Sequence, residues 1–244
     1  MVRRSLESDF VSGAYVFPGG ALDPSDAAGA EALCTGRHDE GASALLDVGE
    51  GGLAYWVAGL RECFEEVGLL LAYRADGTPL SFADPDEEAR FTEHRRALNA
   101  GELSLVDLCH SESLTLACDR VFYFAHWITP LGAPRRYDTR FFVAPAPPAQ
   151  EPRHDAAETI ASMWVRPADA LARFEANEIE MVLPTLRNLR AIGQFPTSSA
   201  LLDAAAREPT VATVAPRYLN DEHGTRIVLR GDQGDEFVDT ARRD

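Results

Sequence analysis

The stretch RECFEEVGLLLA, residues 61–72, carries three glutamates within five consecutive positions and continues into an apolar segment. At about 100° per residue, Glu62, Glu65 and Glu66 fall within an arc of roughly 100° on one side of a helix. The large apolar residues of the same segment fall on the opposite side, as in an amphipathic helix. The pattern therefore predicts a helix over 54–67 whose acidic face either lies in water or binds a cation.

Two neighbouring residues support this helix. Arg61 lies one turn before Glu65 and can orient its carboxylate. Gly68 directly follows the last periodic residue, where a helix commonly ends in a left-handed conformation that glycine adopts without strain.

The composition limits the classes of function. A chain of 244 residues with 45% hydrophobic and 25% charged residues is typical of a globular protein of one large domain. Its formal charge of −16 argues against non-specific nucleic-acid binding, because nothing would offset the repulsion from phosphates. A small anionic ligand that arrives with metal ions remains compatible with this charge.

Cysteine usage and hydropathy indicate a compartment. Cys34, Cys63, Cys109 and Cys118 form no CxxC pair and show no disulfide-like spacing, which favours a reducing environment. The longest apolar run is too short to cross a bilayer, and no signal peptide is recognised. We therefore expect a cytoplasmic protein without membrane contact.

Strand and helix patterns alternate along the chain, which predicts a mixed α/β domain. A strand and turn are expected at AYVFPGGALD (14–23), and a surface insertion rich in small and polar residues at 24–53. The further predicted elements are one or two helices over 84–110, strands over 120–129, 140–147 and 162–167, helices over 168–176 and 183–192, and a hairpin around 220–224.

The stretch REcfEEvGL resembles the second half of the Nudix box, with Cys63 at a position where a larger aliphatic residue is usual. The sequence FPGG (17–20) resembles the start of that box, but roughly 27 additional residues separate it from Arg61. The early glutamate of the motif would fall at Asp26, so Asp26 or Asp23 is expected to take its structural role.

Further stretches extend the resemblance to the peroxisomal coenzyme A diphosphatase branch of this superfamily. They are VRRSLESDFVSGAYVFPGGALD (2–23), HWITP (126–130), RRYDTRFFVA (135–144), ETIASMWVRPADAL (158–171) and LPTLRNL (183–189). The resemblance implies a Nudix fold of the α/β (α+β) class, with a mixed β-sheet sandwiched between α-helices. It also implies a Nudix domain over 1–195 with insertions at 24–53 and 84–110, and an extension over 196–244 packed on the same domain.

The resemblance further implies roles for individual residues. Glu62, Glu65 and Glu66, with the backbone carbonyl of Gly19, would bind Mg²⁺ or Mn²⁺, since hard divalent cations prefer oxygen ligands. Arg61, Glu62, Glu65 and Glu158 are the candidate catalytic residues. Arg61 would position its neighbours, and Glu158 would be a further ligand or general base, with a surface acid as the alternative; Asp155 and His154 are weaker candidates.

The substrate expected from the resemblance is a small diphosphate. Coenzyme A or acyl-coenzyme A would be cut to 3′,5′-ADP and (acyl-)phosphopantetheine, with Arg4, Gly20, Arg136 and Arg140 as binding residues. At least one of the last two arginines is alternatively expected on the solvent face of an edge strand. Phe122, Tyr123, Phe124 and Trp127 are expected in the core, with stacking on adenine as the alternative.

Other functions remain open at this point. A dinucleotide polyphosphate or a nucleotide sugar is the alternative substrate. A non-catalytic Nudix module that binds a nucleotide is the alternative class, but such modules usually lose glutamates that are all present here. A homodimer is also left open.

Overall fold

Two small sheets contact the helix predicted from the acidic stretch. The computed structural model describes residues 1–6, 11–155, 158–207, 210–221, 224–231 and 234–239. The strands are β1 (Val2–Arg4), β2 (Tyr15–Val16), β3 (Ala72–Tyr73), β4 (Thr115–Leu116), β5 (Phe122–Ile128), β6 (Asp138–Val143), β7 (Thr159–Ser162), β8 (Thr213–Val214), β9 (Arg217–Asp221), β10 (Gly224–Gly231) and β11 (Gly234–Asp239). The first of the two sheets has the order β2–β1–β7 and is antiparallel. The second has the order β6–β5–β8 and is mixed, because β5 pairs antiparallel with β6 and parallel with β8.

The helices of the described residues follow the sequence patterns closely from residue 53 to residue 192. They are α1 (Pro24–Ala27), α2 (Ala30–Leu33), α3 (Asp39–Leu46), α4 (Leu53–Val67), α5 (Pro85–Asn99), α6 (Leu105–Ser111), α7 (Pro167–Glu175), α8 (Leu183–Ile192) and α9 (Ser198–Arg207). None of the helices among the described residues is long and apolar enough to cross a membrane.

Helix α4 is the centre of the fold and agrees with its prediction. Its apolar face, with Trp56 and Phe64, belongs to the largest core cluster. The Trp56 indole donates a hydrogen bond to the carbonyl of Val121 at 2.9 Å. Gly68 ends the helix in the left-handed conformation, with φ of 74°, and its N–H donates to the carbonyl of Phe64.

The mixed sheet lies between two helices, which confirms the predicted Nudix architecture. On one face, Phe142 packs against Trp56 of α4 with ring centroids 4.8 Å apart. On the other face, Trp127 donates from Nε1 to Asn188 of α8 at 3.2 Å. Tyr123 and Trp127 are buried, as expected for core residues.

The expectation that residues 24–53 form a surface insertion is wrong. This segment folds into α1, α2 and α3, and Leu33, Ala42 and Leu46 are buried in the same core cluster as α4. Asp39 of α3 also accepts hydrogen bonds from the N–H groups of Gly51 and Leu53 at 3.0 and 2.9 Å, which satisfies unpaired donors at the start of α4. The segment thus supports the start of α4.

The strand expected over 162–167 is also misplaced. The structure has β7 at Thr159–Ser162, where it pairs with β1. The run from Met163 to Arg166 lies outside any strand, and Trp164 is 65% exposed. The sequence SMWVRP predicted a strand here, but residues 163–166 connect β7 to α7.

Part of the C-terminal region packs on the mixed sheet. β8 pairs with β5 through His126 and Thr213, and Thr213 lies 2.8 Å from the ring Nδ1 of His126. β9, β10 and β11 form a separate antiparallel sheet. The predicted hairpin joins β9 to β10, and its residues 222–223 lie outside the described part of the chain. The domain boundaries stay predictions.

Candidate active site

The acidic face of α4 packs against the turn at residues 17–20. Glu66 is buried, and its Oε2 accepts a hydrogen bond from the N–H of Gly19 at 3.0 Å. A Cβ at Gly20 would lie 2.4 Å from Oε1 of Glu62, so a larger residue there would have to displace this carboxylate. The predicted role of the Gly19 carbonyl as a metal ligand stays a prediction.

Arg61 connects the acidic residues. Its Nη1 donates to Glu62 at 2.8 Å and to Glu65 at 2.7 Å, as the spacing predicted for Glu65. Its Nε and Nη2 donate to the two carboxylate oxygens of Asp26 at 2.8 and 3.1 Å, and Nη2 also reaches the carbonyl of Ala21. These bonds account for the five N–H donors of a guanidinium, so Arg61 is held in one orientation.

Asp26 takes the place expected for the early acidic residue of the motif. It is 1% exposed and forms the two-pronged ion pair with Arg61, the geometry that arginine prefers with carboxylates. Asp23 has a different role: it caps α1 by accepting from the N–H of Ser25 at 2.8 Å. The sequence left these two aspartates open, and the structure selects Asp26.

The three glutamates are largely removed from water, and this burial shifts their pKa values. Burial raises the pKa of Glu66 to about 8 and that of Glu65 to about 7, although hydrogen bonds from Gly19 and Arg61 oppose the shift. Burial also raises the pKa of Glu62. With no cation bound, burial therefore favours the protonated, neutral forms of Glu65 and Glu66.

The donor chemistry of this cluster fits a hard divalent cation. Carboxylate oxygens are the ligands that Mg²⁺ and Mn²⁺ prefer. As the side chains stand in the described residues, no three His, Cys, Asp or Glu groups are arranged as ligands of one ion. Glu62 and Glu65 are instead paired with Arg61, and Glu66 with Gly19.

Two further predicted residues lie beside the cluster. The exposed Glu158 precedes β7, and its charge contributes to raising the pKa of Glu62 and of Glu66. Arg4, in the neighbouring strand β1, contributes a positive charge that opposes the rise for Glu66. The fold thus brings Glu158 and Arg4 to the glutamates from different parts of the chain.

The other two predicted arginines lie elsewhere. The side chain of Arg140 is 6% exposed, stacks over Tyr55 of α4 at 4.6 Å and donates to Asp138 at 2.9 Å. Its Nε has no hydrogen-bond partner among the described residues. Arg136 is exposed and donates to the carbonyl of Thr129 at 3.2 Å. The solvent-face alternative therefore fits Arg136. The largely buried side chain of Arg140 instead packs on Tyr55, which lies about 10 Å before Glu62 along α4.

The sequence reasoning missed residues that hold the site from outside. Arg95 of α5 donates from Nε to the backbone carbonyl of Glu65 at 2.9 Å. Asp39 accepts a hydrogen bond from the N–H of Leu53 at the N-terminal end of the same helix. Neither residue belongs to a recognisable motif, and each lies more than ten positions from its partner, so no local pattern could identify it.

Comparisons with known proteins agree with this geometry. Residues 38–192 match the family model described as the NUDT19 Nudix domain. Acyl-coenzyme A diphosphatase NUDT19 from Gallus gallus is 26% identical over 230 residues, which cover 80% of this chain and 60% of that protein. The protein of the same name from Homo sapiens is 26% identical over 236 residues, which cover 82% and 62%. The chain thus spans less than two thirds of the length of these curated relatives.

A solved structure shows the same architecture. The crystal structure of a NUDIX hydrolase from Alicyclobacillus acidocaldarius matches with a TM-score of 0.64 and 30% sequence identity. The match covers 83% of this chain and 86% of that one.

Proposed function

The chain belongs to the Nudix hydrolase family, in the group described by the NUDT19 Nudix domain, and from this membership we propose that it hydrolyses a diphosphate with Mg²⁺ or Mn²⁺ as the cofactor. The observation that carries the proposal is the Arg61 network. It holds Glu62 and Glu65 beside the glycine turn, and Glu66 is hydrogen-bonded to that turn. A solvated acidic face would not require a buried Asp26–Arg61 ion pair behind it.

The proposed reaction breaks one bridging P–O bond. The oxygen of a water molecule bonds to one phosphorus, and the bridging oxygen leaves with the other phosphorus. A divalent cation held by Glu62, Glu65 and Glu66, when bound, would neutralise negative charge on the diphosphate oxygens. Arg61 keeps two of these carboxylates oriented, and the exposed Glu158 accepts the proton that the attacking water loses.

We favour coenzyme A or an acyl-coenzyme A as the substrate, with 3′,5′-ADP and (acyl-)phosphopantetheine as products. The names of the curated relatives support this choice, as does the positive charge of Arg4, which opposes the rise in the pKa of Glu66. Arg4, with Arg136 or Arg140, is the proposed contact of the 3′-phosphate, which adds about two negative charges near neutral pH. A nucleotide sugar and a dinucleotide polyphosphate are the alternative substrates.

The first experiment measures metal-dependent release of phosphate esters from a panel of diphosphates. We expect turnover only with Mg²⁺ or Mn²⁺, and a loss of orders of magnitude in kcat for Glu65→Gln and Glu66→Gln, because the amide keeps the shape but not the charge. Glu93→Gln, on the exposed side of α5, is the matched control and should keep the wild-type rate. Wild-type rates in both box variants at saturating metal would refute the proposed function.

The second experiment compares coenzyme A with dephospho-coenzyme A. We expect a higher kcat/KM for coenzyme A, and selective loss of that preference when Arg4, Arg136 or Arg140 is replaced by alanine. Losing one charge-assisted contact costs about 1.5–3 kcal/mol, or one to two decades in kcat/KM. Equal rates for the two compounds would exclude recognition of the 3′-phosphate and leave the metal-dependent hydrolase standing.

A cytoplasmic location and a homodimer stay proposals. Sedimentation analysis of the purified chain tests the homodimer directly.

A further inference from the structure

We propose that Asp155 is a positioning residue for the reaction: its carboxylate holds the backbone of Glu158, the proposed proton acceptor, at the end of α4 that carries Glu66. This inference rests on the proposed function. It assigns to Asp155 a role distinct from that of a metal ligand or a general base.

The carboxylate of Asp155 collects hydrogen bonds from the residues on which Glu158 depends. Its Oδ2 accepts from the N–H of Glu158 at 3.0 Å. Its Oδ1 accepts from the N–H of Thr159 at 2.9 Å and from the Thr159 hydroxyl at 2.7 Å. Bonds to an ionised acceptor are stronger than those between neutral groups, so this contact restrains two successive peptide units.

The opposite side of the same peptide units is held by other elements. The carbonyl of Glu158 accepts a hydrogen bond from the N–H of Ser5 at 2.9 Å, next to strand β1. Thr159 is 1% exposed, and its hydroxyl lies 3.5 Å from the carbonyl of Glu66 at the end of α4. Glu158 is therefore fixed through its N–H by Asp155 and through its carbonyl by Ser5.

The segment is also attached to α4 before Asp155. The N–H of Arg153 donates to the carbonyl of Val67 at 2.9 Å. Residues 153 and 159 thus both contact the last turn of the helix that carries the glutamates, and Asp155 lies between them. A shift of this segment would move Glu158 relative to Glu62 and Glu66.

The exposure of Glu158 makes the backbone restraint important. Its side chain is exposed, so packing does not confine it, whereas its backbone neighbour Thr159 lies beside the carbonyl of Glu66. A misplacement of about 1 Å can lower a rate by roughly a hundredfold when a catalytic group must meet the reacting atom. Asp155 supplies the restraint that side-chain packing does not.

The chain contains a matched control for this arrangement. Asp76 accepts from the N–H of Thr78 at 2.9 Å and from the Thr78 hydroxyl at 2.6 Å. This repeats the Asp155–Thr159 contact in an exposed turn that is separate from the glutamate cluster. Asp76→Ala should therefore reproduce the local loss of hydrogen bonds without affecting turnover.

The test combines amide hydrogen exchange with a double-mutant cycle in kcat. The variants are Asp155→Ala, Asp155→Asn, Glu158→Gln, the Asp155→Ala/Glu158→Gln double variant and Asp76→Ala. We expect Asp155→Ala to accelerate exchange at the amides of residues 158 and 159, and to lower kcat by about tenfold to a hundredfold with little change in KM. In the Glu158→Gln background it should lower kcat no further, because Asp155 acts through Glu158. Asp155→Asn keeps the size and one acceptor oxygen, so it should fold like the wild type and show a smaller effect in the same direction.

Several outcomes would overturn the inference. Unchanged exchange in both Asp155 variants would show that the carboxylate does not hold this backbone. Effects of Asp155→Ala and Glu158→Gln that multiply in the double variant would show a role independent of Glu158. A wild-type protein that hydrolyses no diphosphate at any metal concentration would refute the proposed function itself, and the positioning role with it. That result is distinguishable because the exchange measurement does not require turnover.

Discussion

Replacement of Asp26 by asparagine removes the buried charge that faces Arg61 without changing the size of the side chain. The two side chains are 1% and 11% exposed, so the pair lies largely out of water. Asparagine offers one oxygen in place of two, and its amide group turns N–H bonds toward the N–H bonds of Arg61. At least one of the two contacts, at 2.8 and 3.1 Å, is therefore lost.

The size of the effect follows from what Arg61 retains. Removing one partner of a buried ion pair costs about 3–5 kcal/mol when the other charge is left unpaired. Arg61 keeps Glu62 and Glu65, so we expect Asp26→Asn to lower the free energy of unfolding by about 2–4 kcal/mol. That is a large share of the roughly 5–15 kcal/mol typical of a domain.

Asp23→Asn is the matched control. Asp23 caps α1, and asparagine caps a helix about as well as aspartate, so the change should stay below about 0.5 kcal/mol. Both variants are unfolded in urea with a chelator present, because a bound cation would add its own stabilisation. Equal, small losses in the two variants would refute the assignment of Asp26 as the partner that holds Arg61.

Three further predictions concern the same site and its support. Glu66 has its pKa raised by burial from 4.5 to about 8, so the stability that its protonated form contributes is present below pH 4.5 and lost as the pH rises through about 8. In the presence of a chelator, the melting temperature should fall between pH 4.5 and about pH 8, and the fall should be smaller in Glu66→Gln. The same dependence of melting temperature on pH in the variant and the wild type would contradict this. Replacing residues 27–50 by a Gly/Ser linker should abolish cooperative unfolding followed by circular dichroism, because the buried leucines of α2 and α3 each contribute about 1.5–3 kcal/mol; a stably folded deletion variant would show that they are dispensable. Gly20→Ala should lower kcat by displacing the Glu62 carboxylate, whereas Gly49→Ala, where a Cβ meets open space, should not; equal rates in both variants would argue against this close approach.

Local sequence patterns determined α4, the helix that carries the candidate site residues. The spacing of its apolar and acidic residues predicted 54–67, and the structure has Leu53–Val67 with Gly68 in the left-handed conformation. The Arg61–Glu65 contact was predicted for the same reason, since residues four apart on a helix are neighbours. The aromatic strands, the helices over residues 85–111 and the two helices after residue 166 also follow from short-range periodicity.

Tertiary structure decided how distant segments meet that helix. The burial of residues 24–53 was missed because α2 and α3 present small residues and few leucines, so their apolar pattern is weak until another helix covers them. The choice between Asp26 and Asp23 depended on where α1 begins relative to Arg61, across 35 positions of chain. The burial of Arg140 against Tyr55 likewise depends on how β6 packs on α4.

The site divides in the same way. The acidic face could be predicted from residues 61–66 because the positions of these side chains relative to one another follow from the geometry of one helix. The contacts of Asp155 with Glu158, of Ser5 with the same loop and of Arg95 with Glu65 depend on elements that pair or pack only after the chain has folded. A sequence pattern records the period of one element, whereas a carboxylate is positioned by whichever backbone groups the fold brings within hydrogen-bond distance. This is why the glutamates and Arg61 could be recognised from the sequence, and the positioning contacts made by Asp155, Ser5 and Arg95 could not.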